Sequence, residues 1–351
     1  RLKLPVPPGF TITTQVCNKY YENGGKLPKN VIPDVMRNIT KIEKKTGKKW
    51  NSASNPLLVS VRSGAAISMP GMMDTILNLG LNEQTILGLI KNTNNPRFTW
   101  DSYRRFIQLF GKVVFGVNDE KFDHVLDAAK KKQNVIDDSQ LNVDSLQKIV
   151  SEYKKICEVH TKRKFPTNPN EQLQLAIEAV FKSWIGERAV VYREKNNITK
   201  DIANGTAVNI VTMVFGNMGN DSATGVVFTR NGHNGKKEIE GEYLINAQGE
   251  DVVAGVRTGK DISQLKNDMP KSYGELSNAC NKLEKHFREP QDIEFTIEQG
   301  KFYLLQTRTA KMSAGALVRT SVEMVKEKLI DKNRALMRIP AQQLEALLHK
   351  T

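Results

Sequence analysis

Apolar positions change their spacing along the chain, and each change marks a block. In residues 1–81, Leu4-Pro5-Val6-Pro7-Pro8-Gly9-Phe10 reads as a rigid extended lead, because each proline fixes φ and removes a backbone donor. It runs into a short strand at Thr11–Thr14 and then a helix. Val35, Met36, Ile39 and Ile42 recur at helical spacing and predict a helix over Val31–Lys45. Leu57–Ser63 predicts a strand with Val59 and Val61 on one face and Ser60 and Arg62 on the other, since side chains alternate along extended chain.

Residues 82–183 read as nearly all helix. Asp101 is placed as the N-cap of a helix carrying Phe106, Ile107, Phe110 and Val113. Phe122, Val125, Leu126 and Ala129 form a second stripe, which ends in Lys130–Lys132, cations that suit a helix C-terminus. Leu146, Ile149, Val150, Tyr153 and Ile156 mark a helix over Val143–His160, and Glu171–Trp184 is the last of the block. Strand patterns return at Arg188–Arg193, Ala207–Phe215 and Gly225–Arg230. Residues 311–351 revert to helix, with Leu317, Val318, Val322, Val325 and Leu329 as the inward stripe. Mixed, then helical, then mixed again predicts an α+β protein with a helical insert. The regular βαβ alternation of a doubly wound sheet is missing.

Composition narrows the class. The chain has 351 residues, 39% apolar and 26% charged, enough apolar residues for a core and too many for wholesale disorder. No long uncharged apolar run predicts a membrane span, and no secretory signal opens the chain. Cys17, Cys157 and Cys280 are far apart and follow no metal or redox spacing, so a reducing compartment is expected and a disulfide scaffold is not. The chain opens on Arg1 without a methionine, which leads to the expectation of a longer natural protein. Lys plus Arg number 52 against 38 Asp plus Glu, a net charge of +14. That excess favours anionic ligands. The lysine clusters lie on helix-like segments, without an aromatic strand motif or a Cys/His finger, and read as solvated faces rather than a nucleic-acid surface.

Four stretches could carry chemistry. Asp292–Arg308 reads as a β-hairpin around a three-residue loop Glu298-Gln299-Gly300, which sets Asp292 opposite Gln306 and Glu294 opposite Leu304. Asp292, Glu294, Gln306 and Arg308 then share one face, and Ile293, Phe295, Ile297 and Leu305 take the core face. A loop one residue longer or shorter would split the set. Two carboxylates and an amide oxygen suit Mg²⁺, and an arginine beside them can grip phosphate; the plain alternative is a hairpin with one wet face. Ser60–Ala65 ends a strand in Arg62 and passes into small residues whose backbone N–H groups suit phosphate oxygens, or it is an ordinary strand and loop. Gly216–Gly225, containing Ser222 and Thr224, is a turn whose N–H groups could cover a polyphosphate or simply join two strands. In Asn246–Arg257, Glu250 could hold ribose hydroxyls or sit in a polar connection. The five histidines are scattered and read as structural or surface residues, and no serine or cysteine nucleophile motif occurs.

Leu57–Ala65, Ser68-Met69-Pro70-Gly71-Met72-Met73-Asp74-Thr75 through Leu81, Gly241–Thr258 and Leu305-Gln306-Thr307-Arg308 together resemble the nucleotide-binding part of the pyruvate, phosphate dikinase family. The Pro-Gly-Met-Met-Asp-Thr stretch separates the chain from the related phosphoenolpyruvate synthases and glucan, water dikinases, which remain the alternatives inside the superfamily. A non-catalytic interaction module or polyanion binder is the alternative outside it. The resemblance covers essentially the whole chain. It implies an ATP-grasp domain over 1–310, with an all-helical insert at about 84–167 and a second lobe at about 208–310, followed by a helical linker at 311–351. It implies transfer of the β,γ-pyrophosphoryl group of MgATP to a histidine on a separate swivelling domain, with AMP released and phosphoenolpyruvate made from pyruvate at a distant barrel. Arg62 and Arg308 take the catalytic positions. Met213, Ser222, Thr224, Glu250 and Asp292 line the nucleotide, and Glu294 and Gln306 hold Mg²⁺, the hairpin and Arg62 converging on the phosphate tail. The 212–215 strand would offer backbone groups to adenine, and the 222–224 loop would cover the phosphates. The resemblance further implies that a Gly-Gly-Lys-Gly segment precedes Arg1 and that the carrier domain and barrel follow Thr351. A homodimeric full-length protein in the cytoplasm or a metabolic organelle (glycosome, hydrogenosome or plastid), not secreted, completes the expectation.

Overall fold

A computed structural model describes residues 2–67, 69, 71–253 and 257–348. Ser68 and Pro70 of the Met-Pro-Gly stretch, the side chain of Glu250, and residues 254–256 lie outside the described residues. The chain forms two antiparallel sheets with helices, an α+β architecture. It divides into two compact units, one made of Pro8–Met213 and the other of Arg1–Pro7 with Val214–Thr351.

In the unit Pro8–Met213, strands β1 (Gly9–Ile12), β2 (Val59–Gly64), β3 (Thr75–Leu79) and β4 (Ala207–Thr212) form one antiparallel sheet in the order β1-β4-β2-β3. Helix α1 (Thr14–Glu22) follows β1, and α2 (Val31–Thr46) buries Val31, Val35, Ile39 and Ile42 along one stripe before stopping at Gly47, whose left-handed φ of 70° glycine adopts without strain. Between β3 and β4 come α3 (Thr85–Thr93), α4 (Pro96–Phe115), α5 (Asp119–Gln133), α6 (Val143–Thr161), α7 (Pro169–Ser183) and α8 (Glu187–Lys195).

Two elements here differ from their sequence patterns. Helix α4 starts at Pro96 and is capped by Asn95, whose side chain accepts from Phe98 N. Asp101, expected as the cap, lies inside the helix and is buried, with Arg104 at 2.7 Å and Arg105 at 3.1 Å. Burial by itself would raise its carboxyl, but the Arg104, Arg105 and Arg97 guanidiniums win and hold it far below the usual range. Arg188–Arg193 is helix, not strand. Only Ala189 of that run is buried, and Glu187 in the first turn and Arg193 in the last suit the helix dipole. Arg193 also stacks on the Trp184 ring, 3.9 Å from its centroid.

In the other unit, β5 (Ala223–Phe228), β6 (Glu240–Ile245), β7 (Lys260–Asp261), β8 (Gln291–Glu298) and β9 (Lys301–Thr309) form a sheet in the order β7-β6-β5-β8-β9, antiparallel throughout. Its core face presents Val227, Tyr243, Ile293, Phe295, Ile297, Phe302 and Leu304 to Leu276, Ala279, Cys280 and Leu283 of α11 (Pro270–Phe287). The short helices α9 (Gly249–Val253) and α10 (Leu265–Asp268) precede it. The extended N-terminal lead belongs to this unit as far as Pro7: Pro5 O accepts from Leu304 N at 2.8 Å.

Helices α12 (Ala314–Lys326), α13 (Lys332–Met337) and α14 (Ala341–Leu348) close the chain. Helix α12 buries Ala316, Thr320, Ser321 and Met324, and Val322 from the expected stripe is 49% exposed. The helix turns its small-residue face inward because the chain before β6 comes very close. Gly235 lies where an added Cβ would be 2.7 Å from Ala316 O, which leaves no room for the larger apolar side chains. Arg230, fully buried, fastens this end by donating to Glu284 of α11 at 2.7 Å and to Glu327 at 2.8 Å.

Candidate functional site

The hairpin β8–β9 brings together the polar set that the sequence singled out, by a different register. Its loop has two residues, Gln299 (φ 48°) and Gly300 (φ 72°), between the paired Glu298 and Lys301. Both central residues are left-handed, as a type I′ turn requires. A two-residue loop alone would carry Gln306 and Arg308 to the core face. A bulge between Glu294 and Phe295 corrects this. Phe295 pairs with Leu304 but Glu294 pairs with Gln306, so Leu305 is the extra residue. Beyond the bulge Asp292 faces Arg308, not Gln306, and Glu294 faces Gln306, not Leu304. Leu304 consequently packs in the core where Leu305 was expected. Two changes of one residue cancel, and the four polar side chains share one face.

On that face Arg308 Nε donates to Asp292 Oδ2 at 2.7 Å and Arg308 Nη2 to Glu294 Oε1 at 2.9 Å. The three side chains are only 27%, 16% and 20% exposed, so the guanidinium acts as counter-ion to two half-covered carboxylates. Asp292 Oδ1 is buried without a hydrogen-bond partner. A buried carboxylate oxygen left unpaired is costly, and it marks a position where a cation or donor belongs. Among the described residues no three His, Cys, Asp or Glu side chains gather into a protein-only metal cage. The available donor set is two carboxylates with the Gln306 amide.

Thr224 lies on the same sheet and Ser222 immediately before it, neither in an open loop. Thr224 is within β5, and both hydroxyls are buried and committed. Ser222 Oγ accepts from Gln299 N at 3.0 Å, and Thr224 Oγ1 donates to Phe295 O at 3.1 Å. The connection from β4 to β5 runs over 213–222, and it is tied to the hairpin turn by Gly300 N, which donates to Asp221 O at 2.8 Å. The strand at 207–215 stops at Thr212. Met213 N then donates to Leu58 O at 2.9 Å, and Phe215 N to Glu298 Oε2 at 2.7 Å, so these two amides are not available to a base. Glu250 sits in α9, where a polar loop was expected, with its side chain outside the described residues.

Arg62 belongs to the unit Pro8–Met213, on β2, paired with Asn209 of β4 and Thr75 of β3. Thr11 of β1 faces Asn209 from the other side and donates to its Oδ1 at 2.7 Å. Thr11, Asn209, Arg62 and Thr75 thus make a polar row across all four strands. The sequence reading missed Asn209, though one amide between Val208 and Ile210 was the available signal. The N–H of Gly64 is not open to a ligand, because it donates to Thr206 Oγ1 at 3.3 Å. Beyond the strand, Asp74 of the Met-Met-Asp-Thr stretch pairs with Arg188 of α8 at 3.2 Å. Burial raises the Asp74 acid above its usual range, and Arg188 opposes that.

Comparison with known proteins gives the family. The family model described as "Pyruvate phosphate dikinase, AMP/ATP-binding domain" matches residues 25–273 and 259–329. The pyruvate, phosphate dikinase of Entamoeba histolytica is 53% identical over 352 residues, and that of Clostridium symbiosum 50% over 351, each across 100% of this chain and 40% of the relative. The chloroplastic pyruvate, phosphate dikinase of Flaveria pringlei is 47% identical across 99% of this chain and 36% of its own length. This chain therefore spans about 40% of the length of the curated relatives it matches. With a family model over most of its length and relatives near half identity throughout, the chain belongs to the pyruvate phosphate dikinase AMP/ATP-binding domain family.

Proposed function

We propose that this chain is the ATP-grasp domain of a pyruvate, phosphate dikinase. In this reading it binds MgATP and passes the β,γ-pyrophosphoryl group to a histidine on a domain outside the chain. That is the first partial reaction of ATP + phosphate + pyruvate = AMP + diphosphate + phosphoenolpyruvate. The observation that carries the reading is the hairpin face, where Arg308 bridges Asp292 and Glu294 beside the unpaired Asp292 Oδ1. The donor set fits a hard cation: Glu294 and Gln306 would hold Mg²⁺, with Asp292 assisting as a second carboxylate. When bound, Mg²⁺ would neutralise phosphate oxygens.

The chain's own groups do the rest. Arg308 leaves its carboxylates for phosphate oxygens and stabilises charge developing on the transferring group, with Arg62 in the same role. Met213 and Glu250 serve the nucleoside, and Ser222 and Thr224 act by holding the connection before β5 in place, their hydroxyls being bonded to Gln299 N and Phe295 O rather than to the ligand. Homodimerisation and residence in the cytoplasm or a metabolic organelle belong to the full-length protein in this reading. Among the described residues no helix is long and apolar enough to cross a membrane.

Calorimetric titration with MgATP tests the reading. Micromolar affinity that is lost in Glu294→Ala and Arg62→Ala is expected. Absence of any nucleotide response, with binding to nucleic acid instead, would show a polyanion-binding module.

A further inference from the structure

The polar row on the four-stranded sheet has a feature that the nucleotide reading does not use. Asn209 is held from one side only. Its Oδ1 accepts from Thr11 Oγ1 at 2.7 Å, which fixes the carboxamide and turns Nδ2 toward β2. Among the described residues nothing accepts from that Nδ2. A Cβ placed on Gly64 would lie 2.6 Å from Nδ2 and 3.5 Å from Asn209 Cγ, so the amide occupies the space that a side chain at 64 would need. Gly64 has the same facing as Arg62, two residues along β2. An unsatisfied neutral donor, locked by a second hydrogen bond, stands beside a guanidinium on an open sheet face: Thr11 is exposed, and Asn209, Arg62 and Thr75 are half-buried.

We propose that Asn209 is an anion ligand, its Nδ2 donating to the same phosphate oxygens that Arg62 contacts, with Gly64 lacking a side chain so that the carboxamide can lie there. The inference rests on the reading of Arg62 as a phosphate contact. It moves the anion donor from the backbone of the small-residue stretch, where Gly64 N–H is spent on Thr206, to a side chain one strand away. The arrangement needs no charge from Asn209. Arg62 supplies the attraction, and the amide fixes which oxygen is held and in what orientation.

The experiment is calorimetric titration of the chain with MgATP and, separately, with inorganic tripolyphosphate, each variant being checked by thermal unfolding. Asn209→Ala should weaken both ligands about tenfold, the worth of one hydrogen bond to a charged acceptor. Asn209→Asp keeps the shape and the bond from Thr11 but sets a carboxylate against phosphate. It should bind more weakly than Asn209→Ala while unfolding near the wild-type temperature, an order that a merely structural role would not produce. Gly64→Ala should match Asn209→Ala, and the double variant should lose no more than either single one, because both act through one carboxamide. Wild-type affinity in Asn209→Ala and Asn209→Asp, with Arg62→Ala defective, overturns this inference and leaves the nucleotide reading standing. Wild-type affinity in Arg62→Ala as well overturns both.

Discussion

Arg308 is ion-paired to two neighbouring carboxylates, Asp292 and Glu294, and its removal should weaken the sheet and strengthen metal binding together. In Arg308→Gln the Nε contact to Asp292 at 2.7 Å and the Nη2 contact to Glu294 at 2.9 Å are lost. Each pair is worth about 4 kcal/mol of gross attraction at a charge separation near 4 Å and an effective dielectric of about 20. Desolvation and side-chain entropy leave roughly 1–1.5 kcal/mol net per pair. The variant should therefore lose about 2–3 kcal/mol, a fall on the order of 10 °C in the unfolding transition of the unit carrying this sheet. The same change leaves two negative groups on one face with Asp292 Oδ1 still unpaired. Millimolar Mg²⁺ without nucleotide should then raise the midpoint more in Arg308→Gln than in the wild type, because binding to the folded state stabilises it. Differential scanning calorimetry with and without Mg²⁺ reads both effects. Arg319→Gln is the control: its pair with Glu323 is nearly half exposed, and its loss should change stability by no more than about 0.5 kcal/mol. An Arg308→Gln midpoint equal to the wild type, with an identical Mg²⁺ response, would refute the counter-ion role.

Deleting Leu305 removes the bulge but leaves Gln306 opposite Glu294 and Arg308 opposite Asp292, so MgATP binding should persist. Inserting one residue between Glu294 and Phe295 instead gives Leu305 a partner, turns the four polar side chains toward the core face and should abolish binding; the opposite order would contradict the register argument. Arg230→Met leaves Glu284 buried without its guanidinium and should cost about 3–5 kcal/mol, with Arg230→Met/Glu284→Gln recovering most of it in a denaturant titration. Burial alone would raise the Glu327 acid, but its hydrogen bonds to Arg230 and Lys237 hold it below the usual glutamate range. A carboxyl depressed in the folded state stabilises above the unfolded value, and that contribution fades as the pH falls through the folded one. The unfolding midpoint should therefore drop on acidification from about pH 5, and less steeply in Arg230→Met.

Local pattern was enough for most elements and for the family. Helices α2, α5, α6 and α7 follow their apolar stripes, and β2 and the β8–β9 hairpin follow alternation, because period and burial are linked residue by residue. Asp292, Glu294, Gln306 and Arg308 could be named from sequence because alternation puts them on one face. The pairing that makes the face real depended on a loop one residue shorter than expected and a compensating bulge at Leu305, and no local signal distinguishes those from a plain register. Arg188–Arg193 has a pattern compatible with strand or helix, and its packing around Trp184 decided for helix. Helix α12 turned its apolar stripe partly outward because the close approach of Gly235 admits only small residues. The role of Gly64 was equally out of reach. As sequence it reads as a free backbone amide, but Thr206 and Asn209, more than 140 positions away, take its hydrogen bond and its side-chain space. Spacing along the chain fixes which side a residue faces, and only the folded chain decides which distant residue is already there.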